Sequence, residues 1–239
     1  MKRMVTVIKF LLLTALVVFL FSFTHQRNNN RKLSKVAIDF LDENDPFITM
    51  YTVNKLLIQN HDSVTGVGKE TLVLKEMESR LLANAMIRDA QVYVTVDGVL
   101  GAKIEQRNPI GRVAAETHYY LDEDGKKMPL STVYAARVPL ITGHSNTNFT
   151  EITPLLLKIQ ADEFMKNSVI GVHVSKKGST TLKLRKHHFE VVFGTPKEID
   201  RKFQNFKAFY QKTKKDNTLN SYQTIDLQFG NQVVATKLE

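Results

Sequence analysis

Seven histidines are the side chains of this sequence best suited to bind a metal ion or to move a proton at neutral pH. Five of them are scattered along the chain, at His25, His61, His118, His144 and His173. His187 and His188 are adjacent on a predicted strand, where neighbouring side chains point to opposite faces and cannot share one ion. Because no metalloprotease-like spacing occurs either, we predict no metal site.

An acidic cluster and a glycine-containing loop are the other candidates for chemistry. Residues 122–124 read DED and could act in acid–base catalysis, but they end at Gly125 in a pattern typical of a turn. Residues 194–196 could offer helix amides to an anion, although helix capping explains them better. Nucleophile-elbow, phosphate-loop and dinucleotide motifs do not occur in the sequence. The sequence therefore predicts that the protein is not an enzyme and that it has neither a catalytic residue nor a cofactor.

Composition narrows the class of protein further. Cysteine is absent, which excludes disulfides, cysteine–zinc sites and thiol nucleophiles. The net charge is +9, but lysines are spread widely with acidic residues among them, which indicates a solvated basic surface. Since basic and aromatic residues do not interleave in a recognition motif, we predict no nucleic-acid partner.

The N-terminal segment is predicted to hold the chain in a membrane. Residues 10–23 are apolar except for Thr14 and Ser22, and counting from Met4 reaches the roughly 20 residues of a spanning helix. A cleaved signal peptide is the alternative, but no A-x-A cleavage pattern follows. We therefore predict one uncleaved transmembrane anchor.

The flanks of this anchor decide its predicted orientation. Basic residues lie on both sides of it, so the positive-inside rule does not settle the topology. A very short N-terminal flank and a long C-terminal body favour a cytoplasmic tail at residues 1–9, an anchor at 10–23 and a periplasmic linker at 24–35. A cytosolic body stays open on charge alone.

The segment after the linker predicts a small α+β domain over residues 36–107. Alternating apolar residues predict strands at 36–40, 89–96 and 99–107, the last two joined by a two-residue hairpin turn at Asp97-Gly98. Two helices are predicted between the first two strands, at residues 50–60 and 71–85. The second helix has a stripe of Leu74, Met77, Glu78, Leu81 and Leu82. On the second strand, one face is predicted to carry Ala90, Val92, Val94 and Val96. The predicted order is β-α-α-β-β.

Residues 108–239 predict a second mixed domain with a mainly antiparallel sheet. The predicted strands include residues 169–174, 180–185 and 188–193, and a helix is predicted from residue 152 to about 164. A further helix begins with Thr195 as its cap, Pro196 at its first position and Glu198 completing a capping box. Its inner face is predicted to carry Ile199, Phe203, Phe206 and Tyr210. A strand-rich segment, residues 222–236, ends the domain.

Four segments of the sequence resemble motifs of the FtsQ/DivIB family of bacterial division proteins. Residues 87–92 read IRDAQV, close to the family's V-x-x-A-x-V, and residues 104–110 read IEQRNPI, close to v-x-E-R-x-P with one residue inserted. Residues 120–125 read YLDEDG, like l-v-D-x-x-G, and residues 225–229 read IDLQF, like i-D-L-R-Y. The asparagine-rich, tryptophan-free composition is most similar to the Bacteroidota branch.

This resemblance implies a fold and a function for the chain. The first domain would be a POTRA domain, and the whole chain a non-enzymatic scaffold of the divisome. Such a scaffold recruits the coiled-coil proteins FtsB and FtsL and helps to regulate septal peptidoglycan synthesis. Its POTRA domain contacts other division proteins. The resemblance also implies a single-pass protein of the inner membrane that is enriched at the septum.

The final strands are the predicted partner site. We expect residues 222–236 at a sheet edge, where unpaired N–H and C=O groups can receive a strand from another chain. This segment contains neither proline nor lysine, and Asp226 is its only charge. Members of the family that the chain resembles receive FtsB by strand addition in this region. The resemblance therefore implies a partner-binding edge formed by Tyr222, Phe229, Asn231, Val233 and Val234.

Other functions stay open on the sequence. A membrane-anchored envelope enzyme would need a constellation of polar residues, and a nucleic-acid binder would need its basic residues on one face. Another POTRA-containing protein of envelope assembly would share the same first domain.

Overall fold

The computed structural model describes residues 2–29, 33–41, 46–58, 73–143, 149–230 and 232–238. The chain forms two compact units, Met1–Gln106 and Arg107–Glu239.

One long apolar helix, α1, runs from Lys2 to Asn29. Its segment Val7–Gln26 has a mean hydropathy of 2.4 and is fully exposed, so its length and composition suffice to cross a membrane. A signal sequence near an N-terminus meets the same criteria. The apolar segment extends at both ends beyond the anchor predicted at residues 10–23, and residues 30–32 of the predicted linker lie outside the described residues.

The remainder of unit 1 has the predicted order β-α-α-β-β. Its elements are β1 (Lys35–Phe40), α2 (Met50–Ile58), α3 (Leu74–Leu82), β2 (Ile87–Val94) and β3 (Val99–Gln106). Strand β3 is central, parallel to β1 and antiparallel to β2. The outer ends of the two predicted helices, residues 59–60 and 71–72, lie outside the described residues.

Residues four apart on each helix build the core of unit 1. Val53 and Leu57 of α2 and Met77 and Leu81 of α3 are buried against the sheet. Leu82, predicted to share this stripe, is 45% exposed. It lies one residue beyond Leu81, and a single step of about 100° around the helix turns it toward solvent.

The hairpin between β2 and β3 has a longer turn than predicted. The N–H of Thr95 donates to the C=O of Val99 (2.9 Å), and the N–H of Gly98 donates to the C=O of Thr95 (3.1 Å). Gly98 has a φ of 85°, which makes this a three-residue loop that ends in a left-handed glycine. Val96, predicted to face the core, therefore lies in the turn and is 73% exposed.

Two carboxylates accept hydrogen bonds from backbone N–H groups at the outer edge of β2. The N–H of Val92 donates to Oε1 of Glu78 (2.9 Å), and the N–H of Ala90 donates to Oδ1 of Asp89 (2.9 Å). These side chains satisfy donors that an edge strand otherwise offers to another chain. The β2 edge is therefore blocked at both positions.

Unit 2 is built on one large sheet. Its strands are β4 (Pro109–Val113), β5 (Tyr119–Asp122), β6 (Lys127–Pro129), β7 (Leu140–Gly143), β8 (Val169–Val174), β9 (Thr180–Leu184), β10 (Glu190–Gly194), β11 (Tyr222–Asp226) and β12 (Val234–Lys237). Its helices are α4 (Thr153–Ala161), α5 (Glu163–Ser168) and α6 (Ile199–Lys215). Within the described residues, the strand order is β12-β11-β10-β9-β8-β7-β4-β5-β6.

The sheet of unit 2 is mainly antiparallel, as predicted, but three of the neighbouring pairs in its described residues are parallel: β4–β7, β7–β8 and β10–β11. Helices α4 and α5 connect the parallel strands β7 and β8, and α6 connects β10 and β11. The second crossover places β11 beside β10, and β12 then returns antiparallel along the outside of β11. The helices bury one face of the sheet, whereas Lys183 and Glu190 on the other face are exposed.

Two helix boundaries of unit 2 differ from the prediction. The helix predicted from residue 152 breaks at Asp162, whose side chain accepts a hydrogen bond from the N–H of Met165 and caps α5. Helix α6 begins at Ile199 without the predicted capping box. Glu198 has a φ of 53° and makes no capping bond, and the N–H of Lys197 donates to the C=O of Thr195 in a tight turn.

Candidate partner-binding edge

Strand β12 is one edge of the sheet in unit 2, and within the described residues it is bonded to β11 only. The N–H of Leu238, just after β12, donates to the C=O of Ser221 (2.9 Å) on the β11 side. Since backbone groups of successive residues point to alternate sides of a strand, Val234 and Thr236 also bond toward β11. The N–H and C=O groups of Ala235 and Lys237 consequently point away from the sheet, where a further strand could bind them.

The predicted partner-binding residues do not all lie on this edge. Tyr222 is in β11, which has a neighbouring strand on each side, so its backbone is not at the edge. Phe229 lies in the connection between β11 and β12 and is 49% exposed, and Val234 on β12 is 41% exposed. Val233 directly precedes β12 and packs partly against the core. Asn231 lies outside the described residues.

The alternation predicted for this segment also ends earlier than expected. Ile225 and Leu227 are buried, but Phe229 is not, because the strand stops at Asp226. Strand β12 runs one residue beyond the predicted segment, and its end therefore carries Lys237.

The edge at β12 differs from the other edges described above. On β2, the carboxylates of Glu78 and Asp89 occupy the outer donors. At the far side of the large sheet, β6 carries Lys127 and Pro129, residue types that discourage strand pairing. The first three residues of β12, 234–236, have none of these blocking features, which makes β12 better suited than β2 or β6 to receive a strand.

A buried lysine anchors α6 near the start of this edge. The Nζ atom of Lys202 donates to the C=O groups of Phe193 (2.7 Å) and Thr195 (2.9 Å) and lies 4.5 Å from the ring centroid of Phe193. Burial lowers the pKa of Lys202, and the nearby carboxylates of Glu198 and Asp226 oppose that shift. In the loop at residues 194–196, Thr195 therefore presents its carbonyl oxygen to an ammonium group.

Asp226 and Gln228 shape the segment that leads from β11 to β12. The Asp226 carboxylate accepts hydrogen bonds from the backbone N–H (2.8 Å) and the side-chain amide (3.2 Å) of Gln228. The Gln228 side chain lies over Gly194, where an added Cβ would come within 2.6 Å of Gln228 Cγ. Gly194 also has a φ of 75°, so both its conformation and this close approach favour glycine.

The sequence interpretation placed four apolar residues on the inner face of α6 and missed Lys202. Lys202 lies three residues after Ile199 and four before Phe206, which puts it on the same stripe. A lysine at that position in an apolar stripe was the available signal of a buried cation.

The acidic cluster at residues 122–124 forms a structured turn, as predicted. Asp122 is buried and accepts hydrogen bonds from the N–H groups of Asp124 (3.0 Å) and Lys126 (2.7 Å). Its other oxygen lies 2.6 Å from a guanidinium nitrogen of Arg107, whose side chain is only 16% exposed. The family-like motifs at residues 104–110 and 120–125 are thus joined by one largely shielded ion pair, between Arg107 and Asp122.

The adjacent histidines lie in the connection before β10 and not on a strand, because β10 begins at Glu190. Nε2 of His187 is 3.0 Å from the hydroxyl of Tyr210 on α6. The histidine ring stacks on Phe189 at 5.0 Å between centroids. Within the described residues, no group of three or more potential metal ligands comes together.

The comparisons with known proteins agree with this architecture. A family model described as FtsQ/DivIB, C-terminal related, matches residues 108–236, which is more than half of the chain. A model for POTRA-like domains matches residues 32–105. No curated protein matches the chain.

A POTRA-like domain followed by an FtsQ/DivIB-related second domain defines a class of division-related POTRA scaffold proteins. The N-terminal apolar helix is long enough to anchor such a protein in a membrane. Within that class, the chain belongs to the FtsQ/DivIB family of bacterial division proteins. The family match does not identify a branch of the family, so the similarity to the Bacteroidota branch stays a prediction.

Proposed function

We propose that this protein is a non-enzymatic scaffold of the divisome that binds FtsB- and FtsL-like coiled-coil proteins and so helps to regulate septal peptidoglycan synthesis. The observation that carries the proposal is the unblocked edge strand β12, in the domain that matches the family. A partner segment would extend the sheet by bonding to the outward backbone groups of Ala235 and Lys237. The POTRA-like domain would bind other division proteins.

Isolation of the intact protein with its partners tests this function. We expect the tagged full chain, extracted in a mild detergent from its own bacterium, to carry FtsB- and FtsL-like proteins that mass spectrometry identifies. The matched control is the tagged segment 1–35, which has the apolar helix but neither folded domain. Equal recovery of these proteins with both baits, or with neither, would contradict the proposal.

We further propose that α1 stays attached as a single-pass anchor of the inner membrane, with residues 1–9 in the cytoplasm and the folded units in the periplasm, enriched at the septum. The exposed apolar segment Val7–Gln26 supports the anchor. Alkaline phosphatase fused after Lys35 is expected to be active, whereas a fluorescent protein that matures only in the cytosol is expected to stay dark there. Fusions at Lys9, before most of the apolar segment, are the control and should behave in the opposite way. A bright fluorophore after Lys35 would rule out the periplasmic placement.

A further inference from the structure

Strand β1 is an edge of the sheet in unit 1, because within the described residues it pairs with β3 alone. On β3, the C=O of Val99 accepts a hydrogen bond from the N–H of Thr95 (2.9 Å) and therefore faces β2. Since backbone groups of successive residues point to alternate sides of a strand, the even-numbered residues of β3 face β1. Ile104, for example, accepts a hydrogen bond from the N–H of Leu41 (2.9 Å), just after β1.

The outward backbone groups of β1 belong to its apolar residues. In a parallel ladder, each residue that faces the neighbouring strand bonds to the two residues that flank its partner. The β1 partners of the even-numbered β3 residues therefore direct their own N–H and C=O groups away from the sheet. These partners are Val36, Ile38 and Phe40. No hydrogen bond from the described residues reaches their outward groups.

The side chains of the same three residues leave one side of the core of unit 1 incompletely covered. Each of them packs against the core but is only partly buried. At the opposite edge of the sheet, Ala90 and Val92 of β2 are 5% and 6% exposed, and carboxylates accept hydrogen bonds from their N–H groups. In the described residues, the β1 edge therefore combines open backbone groups with partly exposed apolar side chains, which suits it to the addition of another strand.

The exposed residues on the other face of β1, Lys35, Ala37 and Asp39, form a pattern that is complementary to itself. When two copies of β1 pair antiparallel about Ala37, each Lys35 lies opposite Asp39 of the other copy. Val36 and Ile38 then lie opposite each other and exchange hydrogen bonds through the groups that already point outward. A shift of the register by two residues in either direction separates Lys35 from Asp39. The charges therefore select one register and a two-fold axis at Ala37.

We infer that the occupant of this edge is a second copy of the chain, and that the two β1 strands pair antiparallel about Ala37 to join both small domains into one continuous sheet. An unrelated strand would have to supply an acid opposite Lys35 and a base opposite Asp39, whereas a second copy supplies both in the required order. The charged residues, which would discourage most other strands, are thus paired in this arrangement.

Attachment of both copies to one membrane is compatible with this symmetry, and in this respect the inference rests on the proposed anchor. The two-fold axis of the pair is perpendicular to the sheet, so it coincides with the membrane normal when the sheet lies parallel to the membrane. From Asn29 to Lys35 the chain can span about 20 Å, which allows both copies to reach that position. An edge contact is smaller than the roughly 800 Å² per partner of a standard interface. Confinement to one membrane offsets this by raising the effective concentration.

Disulfide cross-linking of the full chain in membranes of its own bacterium tests the contact directly. Because the chain contains no cysteine, one introduced cysteine reports one position. Ala37→Cys is expected to give a disulfide-linked dimer on oxidation with copper phenanthroline, since the two residues at the axis form a non-hydrogen-bonded pair with Cα atoms about 4.5 Å apart. The matched control is Lys103→Cys, exposed on the same face of the next strand. Its two copies would lie three strand spacings apart, about 14 Å, and should not cross-link.

Charge variants of the Ala37→Cys chain test the register. Lys35→Glu places a glutamate opposite Asp39 and, by symmetry, removes both ion pairs at once. We expect it to lower the initial rate of cross-linking by about fivefold. The double variant Lys35→Asp with Asp39→Lys restores opposite charges across the contact, and it is expected to cross-link at the rate of the parent chain.

The outcomes separate this inference from the function proposed above. Equal cross-linking of the Ala37→Cys and Lys103→Cys chains, or no dimer from either, would overturn the β1 contact. A double variant that cross-links as slowly as Lys35→Glu would overturn its register. A disulfide adduct of Ala37→Cys with a different protein, identified by mass spectrometry, would assign the edge to a foreign strand and reject the second copy.

The proposed function has its own readouts in the same samples. Ala235→Pro should leave cross-linking through position 37 unchanged, and Lys35→Glu should leave the co-isolated partner proteins unchanged, because the two edges belong to different sheets. Whether the full chain fractionates with the membrane tests the anchor separately.

Discussion

Replacement of Asp122 by alanine is expected to destabilise unit 2 by about 2–4 kcal/mol, because the largely shielded Arg107 guanidinium loses its partner at 2.6 Å and keeps only the Asp124 carboxylate at 3.8 Å. The side chain of Asp122 is 3% exposed, and its two oxygens serve Arg107 and the N–H groups of Asp124 and Lys126. The alanine variant loses all three interactions. A loss of function in a variant that has unfolded would not identify Asp122 as a catalytic acid, whereas complete loss of function in a variant that still folds would support an enzyme.

Hydrogen exchange of backbone amides is the appropriate measurement, since two compact units need not unfold together. We expect amides of β4 and β5 to exchange faster in the variant, while those of β3 in unit 1 serve as an internal reference. Asp124→Ala is the matched control in the same turn, because its carboxylate is 3.8 Å from Arg107 and 36% exposed. The control should cost less than about 1 kcal/mol. Equal acceleration in the two variants would show that the buried pair does not stabilise unit 2.

The small domain could be predicted from local patterns to a large extent. The period of Met77 and Leu81 on α3 and the alternation of Ala90 and Val92 on β2 correctly indicate their buried faces. The errors lie where an element ends, because ends depend on turn hydrogen bonds that hydrophobic periodicity does not encode. Val96 continues the alternation in the sequence, yet the left-handed Gly98 makes it part of a three-residue turn.

The position of the candidate site depends on strand order, which residue types do not determine. Tyr222 and Val234 both belong to β-rich sequence, but only the crossover through α6 places β11 inside the sheet and β12 at its edge. The same holds for Lys202, since the carbonyl oxygens that bind it come from another element, at the end of β10. The capping motif at Thr195 is persuasive in sequence. In the structure, Thr195 and Lys197 instead form a tight turn, and Lys202 donates a hydrogen bond to the C=O of Thr195 in that turn.

Proline at position 235 is expected to lower the affinity for an FtsB-like partner by at least about tenfold. Proline lacks the N–H that Ala235 directs away from the sheet, and its ring occupies the space where a partner strand would approach. One lost hydrogen bond accounts for about 1 kcal/mol, and the steric conflict adds to it. The ladder between β11 and β12 uses Val234 and Thr236, so this substitution leaves its bonds in place. Val233→Pro is also expected to weaken binding, but Val233 packs partly on the core, so that variant would combine loss of a donor with loss of packing.

The decisive comparison is between two substitutions at position 235, one that removes the outward donor and one that keeps it. Ala235→Ser retains the N–H and a small side chain, and it should bind the partner like the unmodified chain. Titration of the full chain in detergent with the periplasmic segment of the FtsB-like protein measures all three affinities. Hydrogen exchange of β11 amides confirms that the edge is still folded. Because the two substitutions occupy the same position, a difference between them reports the loss of the backbone donor and the space that the proline ring takes beside it. Equal affinity of the proline and serine variants, with β11 intact in both, would place the partner elsewhere on the molecule.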